Sequence, residues 1–180
     1  MSGIDEAMEF IPVRIAVLTV SDSRSLAEDR SGDTLVARLE AAGHRLADRA
    51  VVRDEVADIT SKLRGWIADV GVDVVISTGG TGLTGRDVTV EAHRAVYEKD
   101  IDAFGTLFTM LSYAKIGTSA IQSRACAGVA GGTYLFALPG SPGACRDAWD
   151  DILALQFDYR HRPCNFVEIM PRLEEHKRRK

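Results

Sequence analysis

The sequence has few cysteines, no strong excess of one charge and no long apolar run, and each absence excludes a class of protein. The three cysteines, Cys126, Cys145 and Cys164, are odd in number and far apart, without a C-x-x-C pair. Neither a disulfide framework nor a zinc site is therefore indicated, and reduced thiols in a cytoplasmic protein are expected.

The formal net charge is −4 at pH 7 and the pI is near 5.6. A chain with this balance has no overall positive field to attract nucleic acid or an anionic membrane, so we expect neither as a partner. The first ten residues are acidic where a targeting segment would be basic, and no apolar run approaches membrane-spanning length. A soluble, unprocessed protein is expected.

The most informative stretch is 72–89, where a β-branched run leads into a glycine-rich loop. The run predicts a strand covered on both faces, because near-continuous apolar sequence is typical of parallel sheets with helices on either side. Four glycines then fall within seven positions, namely Gly79, Gly80, Gly82 and Gly85. Glycine permits a positive φ and a close approach of the backbone to a ligand, and exposed N–H groups bind anions. The loop is therefore predicted to bind phosphate.

A length of 180 residues with 46 % hydrophobic content is typical of one domain. We expect an N-terminal tail at 1–10, a single α/β domain at 11–168 and a charged, flexible tail at 169–180. The predicted fold class is α/β with three layers, α/β/α, in which the central sheet is mostly parallel and a β-hairpin contributes to it.

Apolar runs at 13–20 and 45–53 predict two more strands, and Gly131-Gly132 between two apolar runs predicts a hairpin with a primed turn. Four further patterns predict helices. The residues expected to cap the second, third and last of them are Asp54, Thr89 and Ser141.

Four further expectations concern particular residues and segments. Residues 29–32 are expected to form a flexible lead into the first helix. Val56 and Val70 are expected on the buried stripe of the second helix, and Leu155 on that of the last. The segment 101–115 is too apolar for a helix with one wet side, which indicates either deep core or contact with a neighbouring subunit. His93 is expected to be a surface or hydrogen-bonded residue and not a catalytic one.

Two common phosphate motifs fit the loop poorly. Residues 80–85 match the dinucleotide fingerprint G-x-G-x-x-G, but Arg86-Asp87-Val88 intervenes before any helix. The P-loop pattern fails because Arg86 and Asp87 stand where it requires a lysine and a hydroxyl residue. NAD-dependent redox chemistry is therefore only a distant alternative.

Two aspartates indicate a different phosphate site. Asp87 ends the loop and Asp54 follows the neighbouring strand, so the carboxyl ends of parallel strands would bring both to one edge of the sheet. Mg²⁺ is usually held by one or two carboxylates together with substrate phosphates. The residues alone leave a second interpretation open, because Asp54 can equally be a helix cap and Asp87 can bond its own loop. The polar turn Ser21–Arg24 is likewise either a ligand site or a capped turn.

Several short motifs occur together along the chain: Ser21–Arg24, Thr78–Gly82, Arg86–Thr89, Leu111–Tyr113, Ile116–Ser119, Gln122–Arg124, Pro139–Ser141 and Arg162–Phe166. In this combination the sequence resembles the MoaB/MogA family of molybdopterin-binding proteins in molybdenum cofactor biosynthesis, and most closely its MoaB branch. The resemblance covers about residues 11–166. It implies the molybdopterin-binding fold of that family.

The resemblance also implies molybdopterin adenylyltransferase activity, in which ATP with Mg²⁺ transfers AMP to the terminal phosphate of molybdopterin and pyrophosphate is released. The family's two functional aspartates fall on Asp54 and Asp87, which would be catalytic and hold Mg²⁺ directly or through water. Some MoaB-branch proteins lack the first aspartate, whereas this chain keeps both. The residues expected around the nucleotide and the pterin are Ser21, Asp22, Thr78, Gly79, Gly80, Thr81, Gly82, Pro139, Gly140 and Ser141.

Self-association as a homotrimer or hexamer is a further implication of the resemblance, and other molybdenum cofactor enzymes are candidate partners. The alternative function is a non-catalytic molybdopterin-binding or carrier protein with the same fold.

Overall fold

A computed structural model describes residues 3–178, without the side chain of Arg178. Its strands are β1 (Gly3–Ile4), β2 (Arg14–Val20), β3 (Arg45–Val52), β4 (Val74–Thr78), β5 (Lys99–Asp100), β6 (Cys126–Ala130), β7 (Thr133–Leu138) and β8 (His161–Arg162). Its helices are α1 (Arg30–Ala41), α2 (Val56–Ile67), α3 (Thr89–Arg94), α4 (Asp102–Ile116), α5 (Pro142–Ala148), α6 (Ala154–Gln156), α7 (Phe166–Ile169) and α8 (Glu175–Arg178). A π-helical turn, Trp149–Leu153, joins α5 to α6.

Six strands form one sheet in the order β3-β2-β4-β7-β6-β5. The first four run parallel, while β6 is antiparallel to β7 and β5 is antiparallel to β6. Strands β1 and β8 pair separately. Thr19 pairs with both Val51 and Thr78, and Thr78 pairs with Leu138, so the four parallel strands end at one edge. The predicted three-layer α/β class, with a mostly parallel sheet and a hairpin, is confirmed.

Helices cover both faces of this sheet. On one face, α1, α4 and α5 pack over β2, β4 and β7, around the buried rings of Phe136 and Phe157. On the other face, α2 and α3 pack against the same strands, with Leu63 and Trp66 in the interface. Every residue of β4 and β7 is consequently buried, as expected for strands with helices on both sides. Each large apolar side chain buried in this way contributes about 1.5–3 kcal/mol.

The hairpin prediction is confirmed in its turn geometry. Gly131 and Gly132 connect β6 to β7 with φ values of 55° and 80°. A primed turn requires a positive φ at both central residues, which glycine adopts without steric cost. The pair therefore fixes β6 as the antiparallel neighbour of β7.

The predicted caps are right at one helix and wrong at two. Ser141 caps α5, since its Oγ accepts the N–H of Ala144 at 3.1 Å. In contrast, α2 begins after Glu55, and Asp54 stands before it without capping it. Thr89 is the first residue of α3 instead of its cap. Asp54 therefore does not have the helix-capping role that was the alternative to a functional role.

Residues 29–32 are ordered, and the prediction of a flexible lead is wrong. Asp29 is fully buried and caps α1 by accepting the N–H of Gly32 at 2.9 Å. Its carboxylate also accepts the hydroxyl of Thr19 and pairs with Arg49 at 2.8 Å. A buried carboxylate is stable only with such partners, and these hydrogen bonds and the ion pair hold the segment in place.

Three residues predicted on buried stripes are exposed, the first being Val56 in the first turn of α2, with 41 % of its surface exposed. α2 ends at Ile67, which leaves Val70 91 % exposed, and Leu155 lies beyond the π-turn with 40 % of its surface exposed. The extra residue in the π-turn rotates the following side chains around the helix axis, so the apolar stripe that begins on α5 does not extend to Leu155.

The segment 101–115 forms α4, in which Phe104 and Phe108 are the buried residues. Deep core is therefore the wrong interpretation for the rest of the segment. Large apolar side chains stand exposed on α4 and the 3₁₀ turn after it, and we call them the apolar face: Leu107, Met110, Tyr113, Ile116 and Ile121.

The ends of the chain carry some regular structure. β1 lies within the predicted N-terminal tail and pairs with β8, while α8 lies within the predicted C-terminal tail. The flexibility of 169–180 stays a prediction, and its residues 179 and 180 lie outside the described range. None of the helices described at 3–178 is long and apolar enough to cross a membrane.

Candidate functional site

The carboxyl edge of the sheet brings the four predicted site segments together. The N–H of Ser21, after β2, donates to Val52 O in β3 at 2.9 Å. The N–H of Gly79, after β4, donates to Leu138 O in β7 at 3.0 Å. At the same edge, Arg24 reaches Gly140 O at 3.4 Å. The segments that follow these four strands therefore form one rim.

The glycine loop is held between these neighbours and has no room for side chains at its start. Gly79 and Gly80 have φ values of 101° and 64°. A Cβ on Gly79 would collide with Val20 O, and a Cβ on Gly80 would lie 2.7 Å from Asp54 Oδ1 and closer still to Thr89 Oγ1. The loop backbone thus runs directly against the Asp54 carboxylate, which places the first predicted aspartate beside the predicted phosphate cradle.

Asp22 is neutralised by an arginine from the glycine loop. Arg86 donates to both oxygens of Asp22, at 2.8 and 3.0 Å through Nη2, and its Nη1 reaches Glu55 at 2.9 Å. The bidentate Arg86 contact holds the pKa of Asp22 below its ordinary value, with the N–H of Asp54 as a second donor. The ion pairs connect the loops after β2, β3 and β4 across the rim.

Asp54 has the opposite electrostatic environment. Burial raises the pKa of its carboxyl above the ordinary 3.8, and the neighbouring Asp22 carboxylate raises it further. Among the side chains described, none forms an ion pair with Asp54. A half-buried carboxylate without a cationic partner is an unfavourable arrangement that a bound cation would relieve.

The Asp87 carboxylate accepts hydrogen bonds from its own loop, which is one of the two interpretations that the sequence left open. Its Oδ2 accepts the Thr84 N–H at 2.8 Å and the Thr84 hydroxyl at 2.6 Å. These bonds, with the N–H of Gly82 as a further donor, hold the pKa of Asp87 below its ordinary value. Both Thr84 bonds go to one oxygen, so the local role does not occupy the whole carboxylate.

The other predicted residues shape the rim. Ser21 Oγ accepts the N–H groups of Ser23 and Arg24 at 3.3 and 3.2 Å, which makes Ser21–Arg24 a capped turn as well as part of the site edge. The buried Thr78 hydroxyl donates to Pro139 O at 3.0 Å and so joins the ends of β4 and β7.

The structure adds a residue to which the sequence assigned no role. Arg124, in the loop before β6, donates to the carbonyl oxygens of Thr81, Gly82 and Asp87 at 3.0, 3.2 and 3.3 Å. It also pairs with Glu91 on α3. Arg124 and Asp87 are 37 positions apart with α4 between them, so no local spacing could reveal the contact.

Comparison with known proteins places this chain in a family. The family profile described as "Probable molybdopterin binding domain" matches residues 16–158. Molybdenum cofactor biosynthesis protein B of Escherichia coli K12 is 49 % identical over 158 residues, which make up 88 % of this chain and 93 % of that protein. The chain belongs to the MoaB/MogA family of molybdenum cofactor biosynthesis proteins.

Solved structures of MoaB proteins share the fold over nearly the whole chain. A crystal structure of Molybdenum cofactor biosynthesis protein B has a TM-score of 0.83 at 37 % identity, covering 92 % of this chain and 98 % of the other. The tungsten cofactor synthesizing protein MoaB from Pyrococcus furiosus has a TM-score of 0.71 at 28 % identity, covering 93 % and 98 %. The sequence resemblance to the MoaB branch is confirmed.

The oxygen donors of this candidate site fit a hard divalent cation that also needs ligands from a substrate. Asp54 provides a carboxylate oxygen next to Gly80 of the glycine loop, and Asp87 provides one next to Gly82. Within 3–178, no group of three or more His, Cys, Asp or Glu side chains could hold a metal on its own. The hydroxyl oxygen of Thr89, which like the Asp54 carboxylate lies close to Gly80, is buried without a hydrogen-bond partner. Mg²⁺ is commonly bound by one or two carboxylates plus phosphates, which agrees with such an incomplete set.

His93 is outside this set, as expected. It is fully buried, and its ring nitrogens bond Ser77 Oγ at 2.8 Å and the Tyr97 hydroxyl at 2.9 Å. Burial lowers the pKa of His93 to about 3, so the ring is neutral at pH 7. The hydrogen bond between His93 and Ser77 connects α3 to β4.

Proposed function

We propose that this protein is a molybdopterin adenylyltransferase that transfers AMP from ATP to the terminal phosphate of molybdopterin. The observation that carries the proposal is the carboxylate of Asp54, which has a raised pKa and forms no ion pair with the described side chains, held against Gly80 of the glycine loop. Family membership supports molybdopterin as the substrate. The loop and the two aspartates support a nucleotide phosphate beside it.

In the proposed reaction, an oxygen of the molybdopterin phosphate attacks the α-phosphorus of ATP. A new phosphoanhydride bond forms, the bond from the α-phosphorus to the bridging oxygen breaks, and pyrophosphate leaves with the electron pair. The second pKa of a phosphomonoester is about 6, so the attacking oxygen is largely ionised at neutral pH. A general base is not required, which agrees with a site built from aspartates, glycines and hydroxyl residues.

The residues of the chain would position phosphates and balance their charge. Asp54 and Asp87 would hold Mg²⁺ directly or through water, and the N–H groups of the glycine loop would bind phosphate oxygens. Bound Mg²⁺ would neutralise charge on the α-phosphate and on the leaving pyrophosphate. Residues on the rim of the same edge would contact the nucleotide or the pterin: Ser21, Asp22, Thr78, Pro139, Gly140 and Ser141.

The direct test mixes the purified protein with ATP, Mg²⁺ and molybdopterin. We expect equimolar pyrophosphate and adenylylated molybdopterin, detected by coupled phosphate release and by mass spectrometry. Absence of product with fully loaded molybdopterin, in the presence of an adenylyltransferase that converts the same preparation, would contradict the proposal.

The second candidate is a non-catalytic molybdopterin carrier. It is favoured by the Thr84 bonds that already occupy Oδ2 of Asp87. A carrier should bind molybdopterin tightly, show no ATP turnover and keep its function in Asp54→Ala. Loss of function in that variant would exclude the carrier role.

We also propose that the protein self-associates through the apolar face of α4. Leu107, Met110 and Tyr113 are 49 %, 63 % and 62 % exposed on one helix. Large contiguous apolar patches on soluble proteins usually mark interaction sites. The resemblance to the MoaB branch makes further copies of this chain the proposed partners, as a trimer or hexamer.

A further inference from the structure

Arg124 contacts the glycine loop almost entirely through backbone oxygens. Its Nε lies 3.0 Å from Thr81 O and 3.2 Å from Gly82 O, while Nη2 lies 3.3 Å from Asp87 O. The remaining face of the guanidinium pairs with Glu91. One side chain from a loop distant in the sequence therefore contacts both ends of the glycine loop.

These contacts determine where the loop N–H groups point. In a planar trans peptide, the carbonyl oxygen and the following N–H lie on opposite sides. With the oxygens of Thr81, Gly82 and Asp87 turned toward Arg124, the N–H groups of the next residues point away from it: Gly82, Leu83 and Val88. Gly82 lies against the Asp87 carboxylate, since a Cβ on it would be 2.8 Å from Oδ2, and its N–H contributes to the lowered pKa of that carboxyl, which agrees with this orientation.

A rotated peptide plane would reverse that arrangement. It would turn a carbonyl oxygen toward the region where the phosphate is proposed to bind, and two negative groups would then face each other. Glycine allows such rotations more readily than other residues because it lacks a Cβ. The loop therefore needs an external donor to select one orientation, and Arg124 provides three hydrogen bonds for that purpose.

We propose that Arg124 is a positioning residue that fixes the peptide planes of the glycine loop and, through Gly82, the carboxylate of Asp87. It acts on the loop and not on the substrate. Lysine at this position would keep the charge but lose the planar fork that reaches separate carbonyls. The nucleotide part of this inference rests on the proposed function, whereas the loop geometry does not.

The test compares Arg124→Lys with Arg160→Lys. Arg160 is a matched control, since it is 32 % exposed against 29 % for Arg124 and pairs with Asp158 away from the loop. Two measurements are made at a temperature where all proteins are folded. One is the dissociation constant of ATP with excess Mg²⁺ by calorimetry, without molybdopterin. The other is amide hydrogen exchange at Gly82, Leu83 and Val88 by NMR.

We expect Arg124→Lys to bind Mg-ATP about tenfold more weakly and to exchange all three amides faster, while Arg160→Lys matches the unaltered protein. Unchanged affinity, or unchanged exchange, in Arg124→Lys would overturn the inference and leave the proposed function standing. If the unaltered protein does not bind Mg-ATP, the proposed function is contradicted. Amide exchange alone then decides the role of Arg124: faster exchange supports it and unchanged exchange overturns it.

Discussion

The backbone N–H of Asp54 donates to Oδ1 of Asp22 at 3.1 Å, which sets two acidic side chains next to each other at the ends of β3 and β2. Arg86 neutralises Asp22 but leaves Asp54 without an ion-pair partner among the described side chains. Three carboxylates at this edge, including Asp87, consequently have different charge environments. Substitutions of these residues are therefore expected to change the stability of the protein in different directions.

Asp54→Asn is expected to be more stable than the parent protein at neutral pH and to lose activity. Because the folded pKa of Asp54 is raised, the folded state holds that proton more tightly than the unfolded chain. The associated stability is present at low pH and is lost as the pH rises through the folded pKa. Asparagine cannot ionise, so the variant should be more stable than the parent at pH 8. This difference in stability should become smaller as the pH falls toward 3.8, the ordinary pKa of the aspartate carboxyl.

The measurement is Tm at pH 8 and pH 5, with adenylylation at pH 8. A loss of more than about 100-fold in turnover is expected if the carboxylate holds the metal. A variant that is less stable than the parent at pH 8 would show that the environment of Asp54 has been misjudged. Asp150→Asn, which removes a surface ion pair with Arg38, serves as control and should keep full activity.

Asp87→Asn should change stability in the opposite direction. The lowered pKa of Asp87 means that its carboxylate stabilises the folded state above its unfolded pKa and loses this effect as the pH falls through the folded pKa. Asparagine retains an oxygen for Thr84 but loses the charge, so a cost of about 1 kcal/mol at pH 7 is expected. Pyrophosphate release should fall below about 1 % of the parent rate with the circular dichroism spectrum unchanged. Surviving activity would mean that Asp87 is not a metal ligand.

Gly80→Ala tests whether the loop must lie against Asp54. The added Cβ would lie 2.7 Å from Asp54 Oδ1, next to the Thr89 hydroxyl, at a φ of 64°. Steric overlap and the left-handed backbone should together cost roughly 2–3 kcal/mol, or about 4–12 °C in Tm for a chain of this size. Mg-ATP binding should be lost as well.

Gly85→Ala is the matched control for that substitution. A Cβ on Gly85 meets nothing within 4 Å, although the residue belongs to the same loop. Its Tm and its Mg-ATP affinity should stay within error of the parent. Equal effects of the two alanines would refute the close approach of Gly80 to the carboxylate.

Most of the fold could be predicted because its signals are local. The run before the loop predicts a doubly covered strand from residue type alone, and Gly131-Gly132 predicts a primed turn from the φ values that glycine permits. The π-turn at Trp149–Leu153 was not predictable, since it leaves the apolar spacing nearly unchanged until Leu155 emerges on the surface.

The candidate site was predictable to the extent that its residues lie in the loops that follow strands. Asp54 lies shortly after β3 and Asp87 ends the glycine loop after β4, and parallel strands end at one edge of a sheet. Sequence could not decide whether Asp54 caps α2, as a cap and a ligand use the same residue type at the same place. Arg124 and Arg86 act through partners far along the chain, up to 64 positions for Arg86 and Asp22, so only the folded structure shows what they hold.

The apolar face of α4 gives the last prediction, on assembly. Leu107→Glu combined with Met110→Glu places two charges on side chains that are 49 % and 63 % exposed in the single chain. If copies of this chain cover the face, each charge would be buried without a partner, at a cost of several kcal/mol, and the assembly should dissociate. Light scattering should then report about 20 kDa, with the far-ultraviolet circular dichroism unchanged.

Val70→Glu provides the control, since Val70 is an apolar residue with 91 % exposure outside that face. It should leave the molar mass of the parent protein unchanged. A parent protein that is already monomeric at micromolar concentration would contradict self-association. A double variant that keeps the parent's larger mass would place the interface elsewhere. Dissociation confined to the double variant would assign the exposed side chains of α4 to contacts between copies, and would explain why 101–115 is so apolar without being core.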